Sequence, residues 1–128
     1  MYDRRGLRLG MCGQLAYARS QRILEKSGQD VQKASYELLL QESELALVKE
    51  ISKLDLVIED AANSLSPKTL ARYAYALATT FNLFYEKVPV LKEQDAATRT
   101  ARLALVKAFG VALKNALDIL GIAALERM

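Results

Sequence analysis

The chain is expected to be all-α, a bundle of four to six helices, and three observations carry that expectation. Apolar residues recur every three or four positions, as in Leu70, Tyr73, Leu77, Phe81 and Phe84, the spacing that gathers side chains on one helix face. No stretch alternates apolar and polar residues for long enough to demand a strand. Helix start and stop residues fall between the periodic stretches, notably Ser66 with Pro67, then Pro89, then Gly121. At 128 residues, one domain is expected, burying roughly two thirds of the surface its unfolded chain exposes.

The elements follow in chain order. Residues 1–13 place Gly6, Gly10 and Gly13 among charged side chains without a sustained period, which predicts a loosely ordered lead-in to a helical domain over 14–128. Over residues 14–26, Leu15, Ala18, Arg19, Ile23 and the stem of Arg22 make a short amphipathic helix, with a turn at 27–30 around Gly28. Residues 31–63 follow. Leu47, Val48, Ile51, Leu54, Ile58, Ala61 and Ala62 have the spacing of one buried stripe there. The denser run Leu38, Leu39 and Leu40 suggests a separate helix broken near 41–43, with Ser43 as N-cap of the second piece.

Ser66 before Pro67 is a good helix start, because the serine oxygen can accept an unbonded backbone amide and proline at the first position loses no hydrogen bond. Pro89 should end that helix by forcing the preceding residue toward extended geometry. Asp95 or Thr98 can cap the last helix, whose stripe is Leu103, Val106, Phe109, Leu113, Leu117 and Leu120, with Gly121 as its left-handed terminator.

Composition narrows the function. No apolar run reaches the roughly 18–20 residues needed to cross a bilayer, and the start has no continuous apolar core of signal-peptide type. A cytoplasmic or organelle-interior protein with no membrane span is expected. Cys12 is the single cysteine and there is no histidine, so an intramolecular disulfide and a zinc cluster are excluded and no cofactor is expected. The glycines are scattered, leaving no phosphate-cradling loop. Glu42, Glu44, Glu59 and Asp60 have the spacing of a solvated helix face better than that of an acid–base pair. Neither catalysis nor a small-molecule substrate is expected.

The net charge of +3 favours an anionic partner only weakly. Placement adds to it. Arg4, Arg5, Arg8, Arg19 and Arg22 lie near the start and Arg99, Arg102, Lys107, Lys114 and Arg127 near the end, so the two groups make one basic surface if the ends meet.

Three segments carry a family resemblance: FNLFYEKVPVL from Phe81, RTARLALV from Arg99, and the ending LGIAALERM from Leu120. Together they resemble the C-terminal anticodon-binding (DALR) domain of arginyl-tRNA synthetases, a helical bundle of the class I synthetase type. Upstream, QLAYARSQRIL is similar to the family's Tyr-Ala-His-Ala-Arg helix at Ala16, Ala18 and Arg19, with Leu15 where the family prefers Tyr and Tyr17 where it prefers His. The resemblance implies an arginine tRNA as partner, with Tyr85 and Met128 lining the pocket for anticodon bases. It also implies a non-catalytic part or relative of the enzyme, since the His-x-Gly-His signature of class I activation cannot occur in a chain without histidine.

The residues suit that chemistry. Unpaired bases are read by stacking on aromatic or guanidinium planes while lysine and arginine hold the backbone. Asn82 can donate to and accept from a base edge or a backbone group. Phe81 and Phe84, three apart on an apolar face, read as core. Tyr73, Tyr75 and Tyr85 each fit a core tyrosine with a bonded hydroxyl, and for Tyr85 a base platform fits as well. Arg99 and Arg102 share one helix side and can bind phosphates or pair with Glu93 or Asp95. Arg19 and Arg22 repeat that spacing, and Arg127 adds a cation beside Met128.

A second reading comes from another class: a DALR-like bundle repurposed as a structural or protein-interaction subunit of a larger assembly. The low charge and the departures at Leu15 and Tyr17 permit it. The lead-in, unlike what the enzyme carries upstream, favours a free-standing protein.

Overall fold

The computed structural model describes residues 4–28, 36–64 and 68–119, apart from the side chains of 4–12, 36, 61, 62 and 64. It is all-α, as expected. The order is α1 (Arg4–Ser27), a 3-10 turn (Tyr36–Leu38), α2 (Glu42–Ser52), α3 (Leu54–Ser64), α4 (Lys68–Lys87) and α5 (Ala96–Ile119). Helix α4 packs against all four others, and α5 also meets α1 and α2.

The central pair forms where the pattern is strongest. Leu70, Tyr73, Ala74, Leu77, Phe81 and Phe84 of α4 are buried, as are Leu103, Val106, Phe109, Leu113 and Leu117 of α5. Phe81 stacks on Phe109 with ring centroids 4.0 Å apart and planes 9° from parallel. The Tyr73 hydroxyl donates to the Glu50 carbonyl at 2.5 Å, tying α4 to the end of α2. Burial, with the nearby Glu50 charge, pushes that phenol up to about 12. Helix α4 stops at Lys87, two residues before Pro89. The expected start at Ser66 and Pro67 lies outside the described residues, as do Leu120 and Gly121. Asp95 caps α5: its Oδ2 accepts from the Thr98 amide at 3.2 Å and from the Thr98 hydroxyl at 2.5 Å.

Three local expectations change. Helix α1 begins at Arg4 and crosses the anticipated lead-in, although each interior glycine costs up to ~1 kcal/mol relative to alanine. Packing supports it: a Cβ on Gly13 would stand 3.5 Å from Leu117 Cδ1, so α1 lies directly on α5 there. The helix ends where expected, at Gly28, whose φ is +59°.

The single stripe over 47–62 is two helices. At Lys53 (φ −82°, ψ −7°) the backbone amide donates to the Glu50 carbonyl at 3.2 Å, a tightened last turn from which α3 departs. Val48, assigned to the stripe, is exposed, while Leu47 is fully buried.

The third change is at the start of α2. Ser43 is not its cap, because the helix begins at Glu42 and Gln41 occupies the cap position without a side-chain cap bond. That start puts Glu44 and Leu47, three apart, on the inner face. Glu44 is therefore buried, contrary to the solvated face expected for it. Of Leu38, Leu39 and Leu40, only Leu39 enters the core.

Candidate nucleic-acid interface

Helix α1 passes the C-terminal half of α4, and three anticipated site residues meet there. Asn82 and Tyr85, three apart, share one side of α4. Arg19 reaches them from α1: its Nη1 donates to Asn82 Oδ1 at 3.0 Å, and its guanidinium carbon lies 4.9 Å from the centroid of the Tyr85 ring. A guanidinium over an aromatic face is attracted by the ring quadrupole. Tyr85 is 43% exposed, whereas Phe81, 6.3 Å away between centroids, is fully buried. The platform is thus anchored in the core and open on its outer side.

Beside it runs a groove of about 750 Å³ between α1 and the segment that follows α4. Its apolar lining includes Ala18, Ile23, Val88 and Val90. Its charged lining is Arg19, Arg22, Lys26 and Lys92 against Glu86. A partly exposed aromatic–guanidinium stack with cations on both walls suits a single strand that stacks its bases and lays its phosphates along the rim.

Arg102 lies apart from this groove. It is 5% exposed, its Nη1 donates to Glu93 Oε2 and to the Pro89 carbonyl, each at 2.7 Å, and its Nη2 donates to Glu44 Oε1 at 3.3 Å. The expectation of a phosphate contact is corrected: a guanidinium on the inner face of α5, surrounded by two carboxylates and a carbonyl, presents no surface to RNA. Pairing with Glu93, the alternative reading, is what forms. Burial raises the pKa of Glu44, opposed by the charge and hydrogen bond of Arg102. Arg99 is half-buried and donates from Nη1 to the Glu93 carbonyl at 3.1 Å. Arg127 and Met128 lie outside the described residues. Tyr73 is the core tyrosine with a bonded hydroxyl, and Tyr75 is exposed.

Sequence reasoning did not assign Lys26 and Lys92 to the site. The first had a signal, since Arg19, Arg22 and Lys26 fall at i, i+3 and i+7 on one face of α1. Lys92 had none, because only the fold brings its segment opposite α1.

Fold and groove together define a class: a helical module with an aromatic–guanidinium platform beside a basic cleft, of the kind suited to single-stranded RNA loops. Residues 13–128 match the family model of the DALR anticodon binding domain, and the chain belongs to that family. It is homologous to the C-terminal region of arginyl-tRNA synthetases. An arginine–tRNA ligase of Methanopyrus kandleri is 41% identical over 115 residues, covering 90% of this chain and 19% of that protein. One from Methanothrix thermoacetophila is 46% identical over 115 residues, covering 90% and 20%. The arginyl-tRNA synthetase structure from Thermus thermophilus superposes with a TM-score of 0.83 at 32% identity, over 91% of this chain and 20% of that one. The chain therefore spans about a fifth of the length of these relatives.

Proposed function

We propose that this chain binds the anticodon loop of an arginine tRNA in the groove beside Tyr85. The observation that carries the reading is the convergence of Arg19, Asn82 and Tyr85 from two helices at one partly exposed spot, with the Arg19 guanidinium laid over the Tyr85 ring. Tyr85 and the Arg19 guanidinium offer stacking faces to unpaired bases. The Oδ1 of Asn82 accepts from Arg19, so Asn82 aims the guanidinium rather than reading a base with that oxygen. Arg22, Lys26 and Lys92 hold phosphates along the rim, with Arg99 as an outer contact. Met128 is added to the base contacts on the strength of the family resemblance, and Arg127 as the cation beside it in sequence.

The part played here is binding and not catalysis, in the cytoplasm or an organelle interior. Among the described residues no helix is long and apolar enough to cross a membrane, and no group of His, Cys, Asp and Glu side chains could hold a metal ion.

Titration of labelled arginine tRNA at two salt concentrations tests the proposal. Binding should weaken as salt rises, by about 0.7 per phosphate on a log–log plot for single-stranded contacts, hence a slope of roughly 2 from the three rim cations. A tRNA of another specificity should bind more weakly. Equal affinity for every tRNA, or none for any, contradicts the proposal and favours the protein-docking role.

A further inference from the structure

Arg102 stands at the centre of a buried tie that joins separate parts of the fold. Glu44 lies in the first turn of α2, whereas Pro89 and Glu93 lie on the segment between α4 and α5. That segment supplies Pro89, Val90, Leu91 and Lys92 to the RNA groove, facing Arg19 and Arg22 of α1. Its ends are bonded, Val88 to the Phe84 carbonyl and Asp95 to Thr98, but between them it has little bonding of its own. Glu93 donates its amide to the Val90 carbonyl at only 3.4 Å. Within 89–93 the remaining polar contacts among the described residues gather on Glu93, whose Oε1 accepts from the Asp95 amide at 3.2 Å and whose carbonyl accepts from Arg99 at 3.1 Å.

Stability alone does not account for the tie. Glu44 Oε2 and Arg102 Nε are buried without a hydrogen-bond partner among the described residues. Desolvation of a buried ion pair often outweighs its mutual attraction, and apolar side chains of similar volume can replace such a pair without loss of stability. The raised pKa of Glu44 points the same way, since burial there outweighs the pull of Arg102. A partly satisfied ionic cluster directly behind one groove wall has the location of a positioning device.

We propose that Arg102 is a positioning residue for the groove: its guanidinium fixes segment 89–93 against α2 and α5 and so sets where Lys92 stands relative to the Arg19–Tyr85 platform. The consequence for RNA rests on the function proposed above, and the mechanical tie does not.

Two variants of the whole chain test it, each with amide hydrogen exchange measured without RNA and titration with an arginine tRNA anticodon stem-loop. Glu93→Gln should speed exchange over 91–94 and weaken stem-loop binding about threefold to tenfold. The sign is diagnostic. If Glu93 were merely a carboxylate near the RNA, neutralising it would tighten binding by removing repulsion from phosphate. The triple replacement Glu44→Leu, Arg102→Met and Glu93→Gln removes the tie without stranding a charge, and should keep cooperative melting while losing exchange protection and about tenfold in affinity. Unchanged exchange over 91–94 in both variants, or tighter binding by Glu93→Gln, overturns the proposal. If the parent chain binds no stem-loop, the tRNA reading falls and the exchange measurements still decide the tie.

Discussion

Arg19 and Arg102 belong to arginine pairs of identical spacing, Arg19 with Arg22 on α1 and Arg99 with Arg102 on α5. The fold gives them opposite settings. Arg19 is half-buried, hydrogen-bonded to an amide and laid over Tyr85 at the edge of an open groove. Arg102 is enclosed, with one carboxylate 58 residues away in sequence and another 9 away. The spacing puts both members of a pair on one helix side, and the neighbouring elements decide whether that side meets solvent or carboxylates. A guanidinium is suited to both settings, because its planar fork stacks on rings as readily as it bonds several acceptors at once.

The largest effect that separates the two sites is on stability. Arg102→Met alone leaves Glu44 buried without its cation and should cost about 3–5 kcal/mol in urea unfolding. Arg19→Met should change unfolding little, because its guanidinium sits at a partly open surface. Equal small losses from both would mean that the buried site is in effect hydrated. Next in size is Tyr73→Phe, which removes the donor to the Glu50 carbonyl and should cost about 1 kcal/mol by the same measurement. No change would mean that the bond between α4 and α2 adds nothing to stability.

The smallest effect is a pH slope. The pKa of Glu44 in the folded chain is raised above 4.5, so this carboxyl holds its proton more tightly folded than unfolded. Its contribution to stability is full below pH 4.5 and is lost as pH rises through the folded value. Glu44→Gln should flatten that part of the stability–pH curve, as followed by urea midpoints across the acidic range. An unchanged curve would place the titration on another group.

Much of this could be read in the sequence because it depends on local order. The apolar stripes of α4 and α5, the stop before Pro89, the Asp95 cap and the Gly28 terminator are each set by residues within one or two turns. The candidate site was legible in part: Tyr85 came from the family resemblance, Arg19 from its charge and its spacing with Arg22, and Asn82 from its chemistry beside Phe81. What escaped depends on distant partners. The inward turn of Glu44 and the capture of Arg102 need a contact across 58 residues. The close approach of α1 to α5 at Gly13 depends on Leu117, more than a hundred positions away.

Two alanine variants on α4 test whether the face bearing Tyr85 receives the anticodon loop, as proposed. Tyr85 and Leu83 are both exposed, at 43% and 50%, but only Tyr85 lines the groove. Titrated with an arginine tRNA anticodon stem-loop, Tyr85→Ala should lose about 1–3 kcal/mol of affinity, the typical worth of one stacked base. Its urea midpoint should stay near that of the parent, and Leu83→Ala should bind like the parent. Undiminished binding by Tyr85→Ala, or an equal loss from Leu83→Ala, would contradict the account.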